Sequence, residues 1–179
     1  MQDAEAWKIA QHPTPQVIPS GTYVADPERS QLTFRAKAFG VVWVHGNMPV
    51  TSGTLQVADG RVQGAGDVSA SGVTTGLWVR DWHLRTGHYL GTAAHPRIHL
   101  SVEDADLTSG CVAARVTVRG KPASVDLVLD SAQVSDGTVR LAAHGTVDRS
   151  PFGMLPPMCG VSRLVHVTIV VVATQAAPE

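Results

Sequence analysis

Residues 112–129 read VAARVTVRGKPASVDLVL, two apolar-alternating runs on either side of a glycine-bearing link. Val112, Ala114, Val116 and Val118 alternate with Ala113, Arg115 and Thr117. After Arg119-Gly120-Lys121-Pro122 the alternation resumes at Val125, Leu127 and Leu129. A period of two gives an extended strand one apolar face, and a short link containing glycine joins two such strands as a hairpin. The pattern continues outward in both directions. Leu32, Phe34, Ala36 and Ala38 repeat it, as do Ile98, Leu100 and Val102, then Val139, Leu141 and Ala143, and finally Val165, Val167, Ile169 and Val171. Ala58-Asp59-Gly60, Ser109-Gly110 and Ser135-Asp136-Gly137 supply further turns. One apolar face per strand with hairpin-length links indicates an antiparallel sheet. So many strands in one domain must close into a sandwich or a barrel to cover that face. The expectation is an all-β chain.

Composition narrows the function classes. A chain of 179 residues makes one domain and buries enough surface to fold without a metal or disulfide. Hydrophobic residues are 44% and charged residues 16%, against about 25% charged in an ordinary soluble domain. A hollow barrel, which lines a cavity as well as filling a core, accounts for that balance. Net charge is −1, and the arginines between Arg80 and Arg140 are scattered among acids, so no nucleic-acid partner is expected. No basic amphipathic helix suggests attachment to a membrane surface. The longest apolar run, Val165 to Ala173, is too short for stable membrane insertion. The first residues carry Asp3, Glu5 and Lys8 and lack the pattern of a signal peptide. The chain as it stands reads as cytoplasmic, the alternative being an exported form whose signal peptide has been removed. Cys111 and Cys159 are too few for a disulfide scaffold and read as free thiols, unless the start of a strand and a Pro-rich loop bring them together. The domain reading is a leader over 1–20, broken by Pro13, Pro15 and Pro19 and either poorly ordered or packed on the surface, a barrel over 21–174, and a tail over 175–179.

One stretch, 74–95 (TTGLWVRDWHLRTGHYLGTAAH), shows no alternation. It is expected to form a short helix-and-loop insertion across one end of the barrel, since a long irregular connection in a compact domain is more often functional than incidental. Arg80, Asp81 and His83 within it have two readings: a site for a phosphate, to which the flat arginine fork is suited, or an Arg–Asp pair that fixes the insertion to the barrel. Asp148 and Arg149 are adjacent, hence point to opposite faces of a strand and form no joint site. His95 and His99 would share a face, but no Cys-x-x-Cys or His-Glu-x-x-His spacing accompanies them, so no metal and no cofactor is expected. Ser69-Ala70-Ser71-Gly72 lacks the frame of a nucleophile turn.

Several ordered motifs are more specific. Gly21-x-Tyr23-x-x-Asp26-Pro27-x-x-Ser30-x-Leu32-x-Phe34 opens the first strand region. Arg80-Asp81-x-His83-Leu84, His95-Pro96-x-Ile98, Gly120-Lys121-Pro122, Asp148-Arg149-Ser150-x-Phe152-Gly153 and Val165-x-Val167-x-Ile169 follow in order. The set resembles the YceI-like family, also described as lipid-binding or polyisoprenoid-binding, from about Gly21 to Ala173. Three places depart from the family pattern: Arg29 stands where His is usual, His88-Tyr89-Leu90 replaces an aromatic pair, and 154–160 (MLPPMCG) is rich in Met and Pro. The resemblance implies an extended eight-stranded antiparallel lipocalin-like barrel with the helical insertion near 74–95. It implies an interior tunnel for the tail of a polyprenyl phosphate or an isoprenoid quinone, a role in binding, storage or transport, homodimers, and no catalysis.

The ligand-facing set expected on this reading is Leu32, Phe34, Phe39, Val116, Leu127, Leu141, Val167 and Ile169 along the barrel, with Trp78, Arg80, His83, Tyr89, Phe152 and Met154 at its mouth. The small residues Ala36, Ala38, Ala114, Ala143 and Gly145 leave room inside. Trp82, Leu155 and Met158 join the mouth either as ordinary lid packing or as an adaptable gate, for which methionine is suited. The rival to a lipid holder is a barrel packed solid with side chains, acting through its surface or as a dimer. An eight-stranded barrel is wide enough for either.

Overall fold

A computed structural model of the chain describes residues 16–154 and 160–177. Its strands are β1 (Gly21–Ala25), β2 (Gln31–Ala38), β3 (Val42–Ala58), β4 (Arg61–Ser69), β5 (Arg97–Asp106), β6 (Cys111–Val118), β7 (Lys121–Ser135), β8 (Thr138–Asp148) and β9 (Leu164–Gln175), with one short helix, α1 (Trp78–Arg85), between β4 and β5. Consecutive strands from β2 to β9 pair antiparallel, and β2 also pairs with β9, which closes a barrel. β1 and β2 fill a single position end to end: β2 pairs with the first part of β3 and β1 with its last part, and both pair with β9. Nine strands therefore make eight positions, the barrel that the motif order implied.

The break between β1 and β2 explains the opening motif. Glu28 N donates to Asp26 Oδ1 at 3.0 Å, a turn closed by the aspartate side chain. Asp26 N donates to the carbonyl of Val172 on β9 at 2.7 Å. Buried Ser30 then completes the ladder: its Oγ donates to Val172 O at 3.3 Å and accepts from Val172 N at 2.9 Å. A hydroxyl here satisfies the backbone groups that the interrupted strand leaves without a partner.

β3 and β4 lack a clean apolar alternation. Their inward positions include Gly46, Gly53, Gly64 and Gly66, and β-bulges shift the register at Val50/Ser52 and Val62/Gly64. A Cβ on Gly64 would lie 2.7 Å from Thr54 O, and one on Gly66 2.7 Å from Ser52 O. These glycines let two backbones approach closely. The hairpins Asp59-Gly60, Arg119-Gly120 and Asp136-Gly137 have positive φ at both central residues, the primed turn whose twist suits a two-residue link. The link opposite the opening stretch is thus two residues long, and Lys121 and Pro122 already belong to β7, opposite Val118 and Thr117.

The two ends of the barrel differ. At the far end lie the turns 59–60, 107–110 and 136–137, plugged by fully buried Tyr23, Val139 and Ala173. Tyr23 Oη donates to Pro19 O at 2.9 Å. Gln16 N donates to Ala132 O, Gln16 Oε1 accepts from Val134 N, and Ile18 is buried. This segment covers the edge of β7 that β6, ending its pairing at Val128, leaves open. The rest of the leader, 1–15, lies outside the described residues. At the near end lie the hairpin 39–41, the insertion 70–96, the turn 119–120 and the β8–β9 connection. Among the described residues no helix is long and apolar enough to cross a membrane.

Candidate ligand-binding interior

The inward residues of the barrel enclose two adjoining apolar spaces. The upper, toward the near end, has a volume of about 180 Å³ and is lined by Leu32, Phe34, Val116, Leu127, Val167 and Ile169 from the strands. Tyr89, Phe152 and Met154 close it, with Leu84 and Leu90 of the insertion and Arg149. The lower is about 130 Å³ and is bounded by Leu129, Leu141, Ala143 and Val171 among others. Leu100, Leu127 and Ile169 line both, so the two meet at a waist. Small inward side chains, Ala36 above and Ala143 below, face these spaces. Gly145 has a different role: a Cβ there would lie 2.8 Å from Asp126 O and from Leu127 Cδ2, so its bare backbone allows β8 to approach β7.

The insertion is held over the upper space by hydrogen bonds to its own entry segment. Arg80 Nε donates to Thr75 Oγ1 at 2.7 Å, and Arg80 Nη2 to Thr75 O at 2.8 Å. Asp81, buried, accepts from Thr75 N at 2.7 Å and from Thr75 Oγ1. Arg85 donates to Ser71 O at 2.9 Å and Val73 O at 2.8 Å. α1 has no side-chain N-cap, so the carboxylate in its first turn, anchored on the preceding loop, is what fixes its start. Burial opposes ionisation of Asp81, but the hydrogen bonds from Thr75 and Thr74, with Arg85 nearby, outweigh it and hold its pKa below the ordinary value. Arg119 Nη1 ties the loop to the barrel rim through Tyr89 O at 3.0 Å and Gly153 O at 2.9 Å. Arg80 and Asp81 thus both grip Thr75 rather than each other, so they clamp α1 to the insertion's own entry segment and not to the barrel.

Asp148 and Arg149 do point apart. Asp148 faces outward to Arg163 at 3.3 Å, and its pKa is lowered chiefly by the hydrogen bonds of Ser150. Arg149 is buried on the wall of the upper space and donates to Ser162 O and Val161 O, each at 2.9 Å. Its guanidinium is turned to these carbonyls, so the chamber wall itself is wholly apolar. Strand alternation gave it no site role; its motif position between the end of β8 and the turn at Ser150–Phe152 was the available signal.

Of the expected ligand-facing residues, Leu32, Phe34, Tyr89, Val116, Leu127, Phe152, Met154, Val167 and Ile169 converge on the upper space and Leu141 on the lower. Four do not line either. Phe39 is 76% exposed at the β2–β3 tip, and Trp78 is 78% exposed on α1. Arg80 is bonded to Thr75, and His83 lies on the outer side beside Trp82 and Tyr89. His95 and His99 do not share a strand face, because β5 begins at Arg97, and His99 Nδ1 lies 2.8 Å from Asp67 Oδ1 on the outside. Among the described residues no three His, Cys, Asp or Glu side chains converge. Cys111 is exposed. Cys159, Leu155 and Met158, and with them the disulfide and gate readings, lie outside the described residues. Leu84, Leu90 and Val73, all lining the upper space, come from the irregular insertion, where no periodicity marks which side chains turn inward.

Comparison with known proteins agrees with this architecture. The model of the YceI-like domain matches residues 23–173. Among solved structures, BcnA of Burkholderia cenocepacia is similar with a TM-score of 0.74 at 14% identity, covering 84% of this chain and 99% of that one. A polyisoprenoid binding domain from Saccharophagus degradans, implicated in plant cell wall breakdown, has a TM-score of 0.63 at 17% identity and covers 88% and 100%. The YCEI protein of Campylobacter jejuni gives 0.51 at 14% identity over 64% and 73%. No curated protein matches the sequence. At these identities the solved structures speak for the fold, and the family match, running from Tyr23 on β1 to Ala173 on β9, spans the whole closed barrel: this chain belongs to the YceI-like family.

Proposed function

We propose that the barrel holds the apolar tail of an isoprenoid lipid, of polyprenyl phosphate or isoprenoid quinone type, and serves as its carrier or store. The observation that carries this reading is the pair of adjoining apolar spaces along the axis, about 180 and 130 Å³. Together they reach the lower end of the roughly 300–1,000 Å³ range of small-molecule sites. That volume suits a few isoprene units, with a longer tail requiring the lid to yield. Each methylene taken from water contributes about 0.8 kcal/mol, so a short tail binds usefully on apolar contact alone. The far end is plugged by Tyr23, Val139 and Ala173, so the head group would sit at the lid end. The similarity to the Saccharophagus degradans polyisoprenoid binding domain supports the same ligand class, and binding rather than catalysis is the reading that the family supports.

Native mass spectrometry and organic extraction of the purified protein test it. The expected result is a co-purifying lipid. Adding a polyprenyl phosphate or a quinone to stripped protein at about 100 times Kd should stabilise it by about 2.7 kcal/mol, a rise in Tm of roughly 5–10 °C for a domain of this size. Bare polypeptide in every preparation, with no shift for either ligand, would instead favour the solid barrel acting through its surface or as a homodimer.

A further inference from the structure

The near end of the barrel carries two features that lipid storage alone does not require. The first is exposed apolar bulk. Phe39, Val41 and Trp43 stand on the β2–β3 hairpin, and Trp78, Val79 and Trp82 on α1, with Val41 79% and Trp82 61% exposed. Single exposed apolar residues are ordinary, but several bulky ones on two segments at one end of a molecule mark an interaction surface. The second is charge. Lys37, Arg85, Arg119, Lys121 and Arg163 all lie on near-end elements. Two acids offset part of this charge: ionised Asp81, near Arg85, and Asp148, which pairs with Arg163, leaving Lys37, Arg119 and Lys121 in excess. Arg119 donates to neutral carbonyls, which uses its hydrogen bonds and leaves its charge. Asp59, Asp104, Asp106 and Asp136 lie at the far end and outnumber its cations, Arg61, which pairs with Asp104, and Arg140. A chain of net charge −1 is thus polarised along its axis. In the sequence the arginines are interleaved with acids; antiparallel pairing sorts them, because successive hairpin turns fall at alternate ends.

We infer that the protein docks reversibly, lid end first, on the surface of an anionic lipid bilayer. The tryptophans of α1 and of the β2–β3 hairpin enter the interface and the surrounding cations face the phosphates. Charge complementarity selects this occupant. A second copy presented lid to lid would bring like charges together, whereas anionic head groups meet the basic rim and accept apolar side chains beneath it. Trp suits that depth because its ring is apolar with one polar edge. Arg35 and Lys37 lie 4.8 and 5.1 Å from the Trp43 ring centre, so cations and an interfacial aromatic are already grouped. Each basic residue near an anionic surface favours the bound state by roughly five-fold, and salt screens it. The inference extends the lipid-carrier reading by naming where lipid is exchanged, but it rests on the outer surface rather than on the cavity.

The test is flotation of the full chain with phosphatidylcholine vesicles, with and without phosphatidylglycerol, at low and high salt. Binding is expected to the anionic vesicles only and to weaken at least ten-fold at high salt. The double variant Trp78→Ser/Trp82→Ser should lose at least ten-fold of it, while Val128→Ser, an exposed apolar position on the barrel wall, should bind as the parent does. Since all three side chains are exposed, circular dichroism and Tm should stay unchanged. No binding by the parent, equal binding to neutral vesicles, or full binding by the tryptophan variant overturns the inference. So does a parent dimer that the variant converts to monomer without loss of vesicle binding. Vesicle binding without lipid uptake leaves the docking intact and removes the carrier reading; co-purified lipid without vesicle binding does the reverse.

Discussion

Replacing Ala143 by leucine separates a hollow barrel from a solid one by giving stability and affinity opposite signs. Ala143 sits on β8, 8% exposed, facing the lower space of about 130 Å³. Leucine adds three carbons, worth about 2.4 kcal/mol at ~0.8 kcal/mol each if they are taken up by existing space. Fixing the longer side chain costs about 0.5–1 kcal/mol. Lipid-free protein should therefore gain about 1–2 kcal/mol in urea unfolding, seen as a higher midpoint at unchanged slope. For a bound tail long enough to pass the waist at Leu100, Leu127 and Ile169, the same carbons displace about three methylenes. The loss of about 2.4 kcal/mol weakens binding by about 50-fold. A tail that ends in the upper space should bind unchanged. Titrating short and long polyprenyl phosphates into parent and variant measures both. A variant destabilised by roughly 1–3 kcal/mol, the response of an already full core, together with equal effects on both chain lengths, refutes the two-space interior.

Other perturbations probe the strand break and the lid. Ser30→Ala removes both hydrogen bonds to Val172 and leaves a buried N–H without its partner, so it should cost about 1–3 kcal/mol in urea unfolding, whereas Ser30→Thr, which keeps the hydroxyl, should recover part of it. Asp81→Asn should loosen the insertion and speed hydrogen exchange across 73–91 more than in the strands, at a cost of about 1–3 kcal/mol. The folded-state pKa of Asp81 lies below its ordinary value, so its contribution is fully present above the ordinary carboxylate pKa of about 3.9 and is lost as pH falls through the lower folded-state value. Exchange at 73–91 followed downward in pH should therefore rise in the parent within that window and stay flat in Asp81→Asn. Leu84→Ala, removing a wall of the upper space, should raise the ligand dissociation rate more than it lowers stability; because Leu84 is only half-buried, its stability cost should fall short of the roughly 2–5 kcal/mol of a fully buried leucine.

The sequence reveals the barrel where side chains report geometry and conceals it where glycine does. β6 and β7 are readable because Val112, Ala114, Val116, Val118, Ala123, Val125 and Leu127, at alternate positions on the inward face, are all apolar. β3 and β4 are not, because Gly46, Gly53, Gly64 and Gly66 take inward positions and two bulges change which parity faces in. The interior part of the site follows strand parity, so Leu32, Phe34, Val116, Leu127, Leu141, Val167 and Ile169 fall where alternation puts them. The mouth does not, because the insertion obeys tertiary contacts instead of a period. Trp78 suggests a ligand contact by its chemistry, yet the Asp81–Thr75 and Arg85–Ser71 bonds orient α1 so that Leu84 turns inward and Trp78 outward. Arg149 is the converse case, a charge at a strand end that folding buries beside the cavity.

The same contrast between the two ends sets which of them would open to admit the proposed lipid. Opening the far end means parting Tyr23, Val139 and Ala173 from a packed plug and breaking the β1–β9 and β8–β9 ladders that frame it, which is a step toward global unfolding. Opening the near end means swinging α1 and the loop after it away from the entry segment 71–75, which breaks side-chain bonds of Arg80, Asp81 and Arg85 to Thr75, Ser71 and Val73 and the Arg119–Tyr89 tie to the rim. Each such bond contributes only about 1 kcal/mol net, so the lid belongs to the low-stability units from which moving elements are drawn. It also carries the exposed tryptophans. A bilayer that takes up Trp78 and Trp82 pulls on the element whose Leu84 and Leu90 close the upper space, so docking and opening are coupled through one eight-residue helix. On the proposed carrier and docking readings, transfer of a fluorescent polyprenyl lipid should be fast with anionic vesicles and slow without them, a difference that lid-weakening substitutions should narrow and Trp78→Ser/Trp82→Ser should abolish; equal rates in the parent under both conditions refute the coupling.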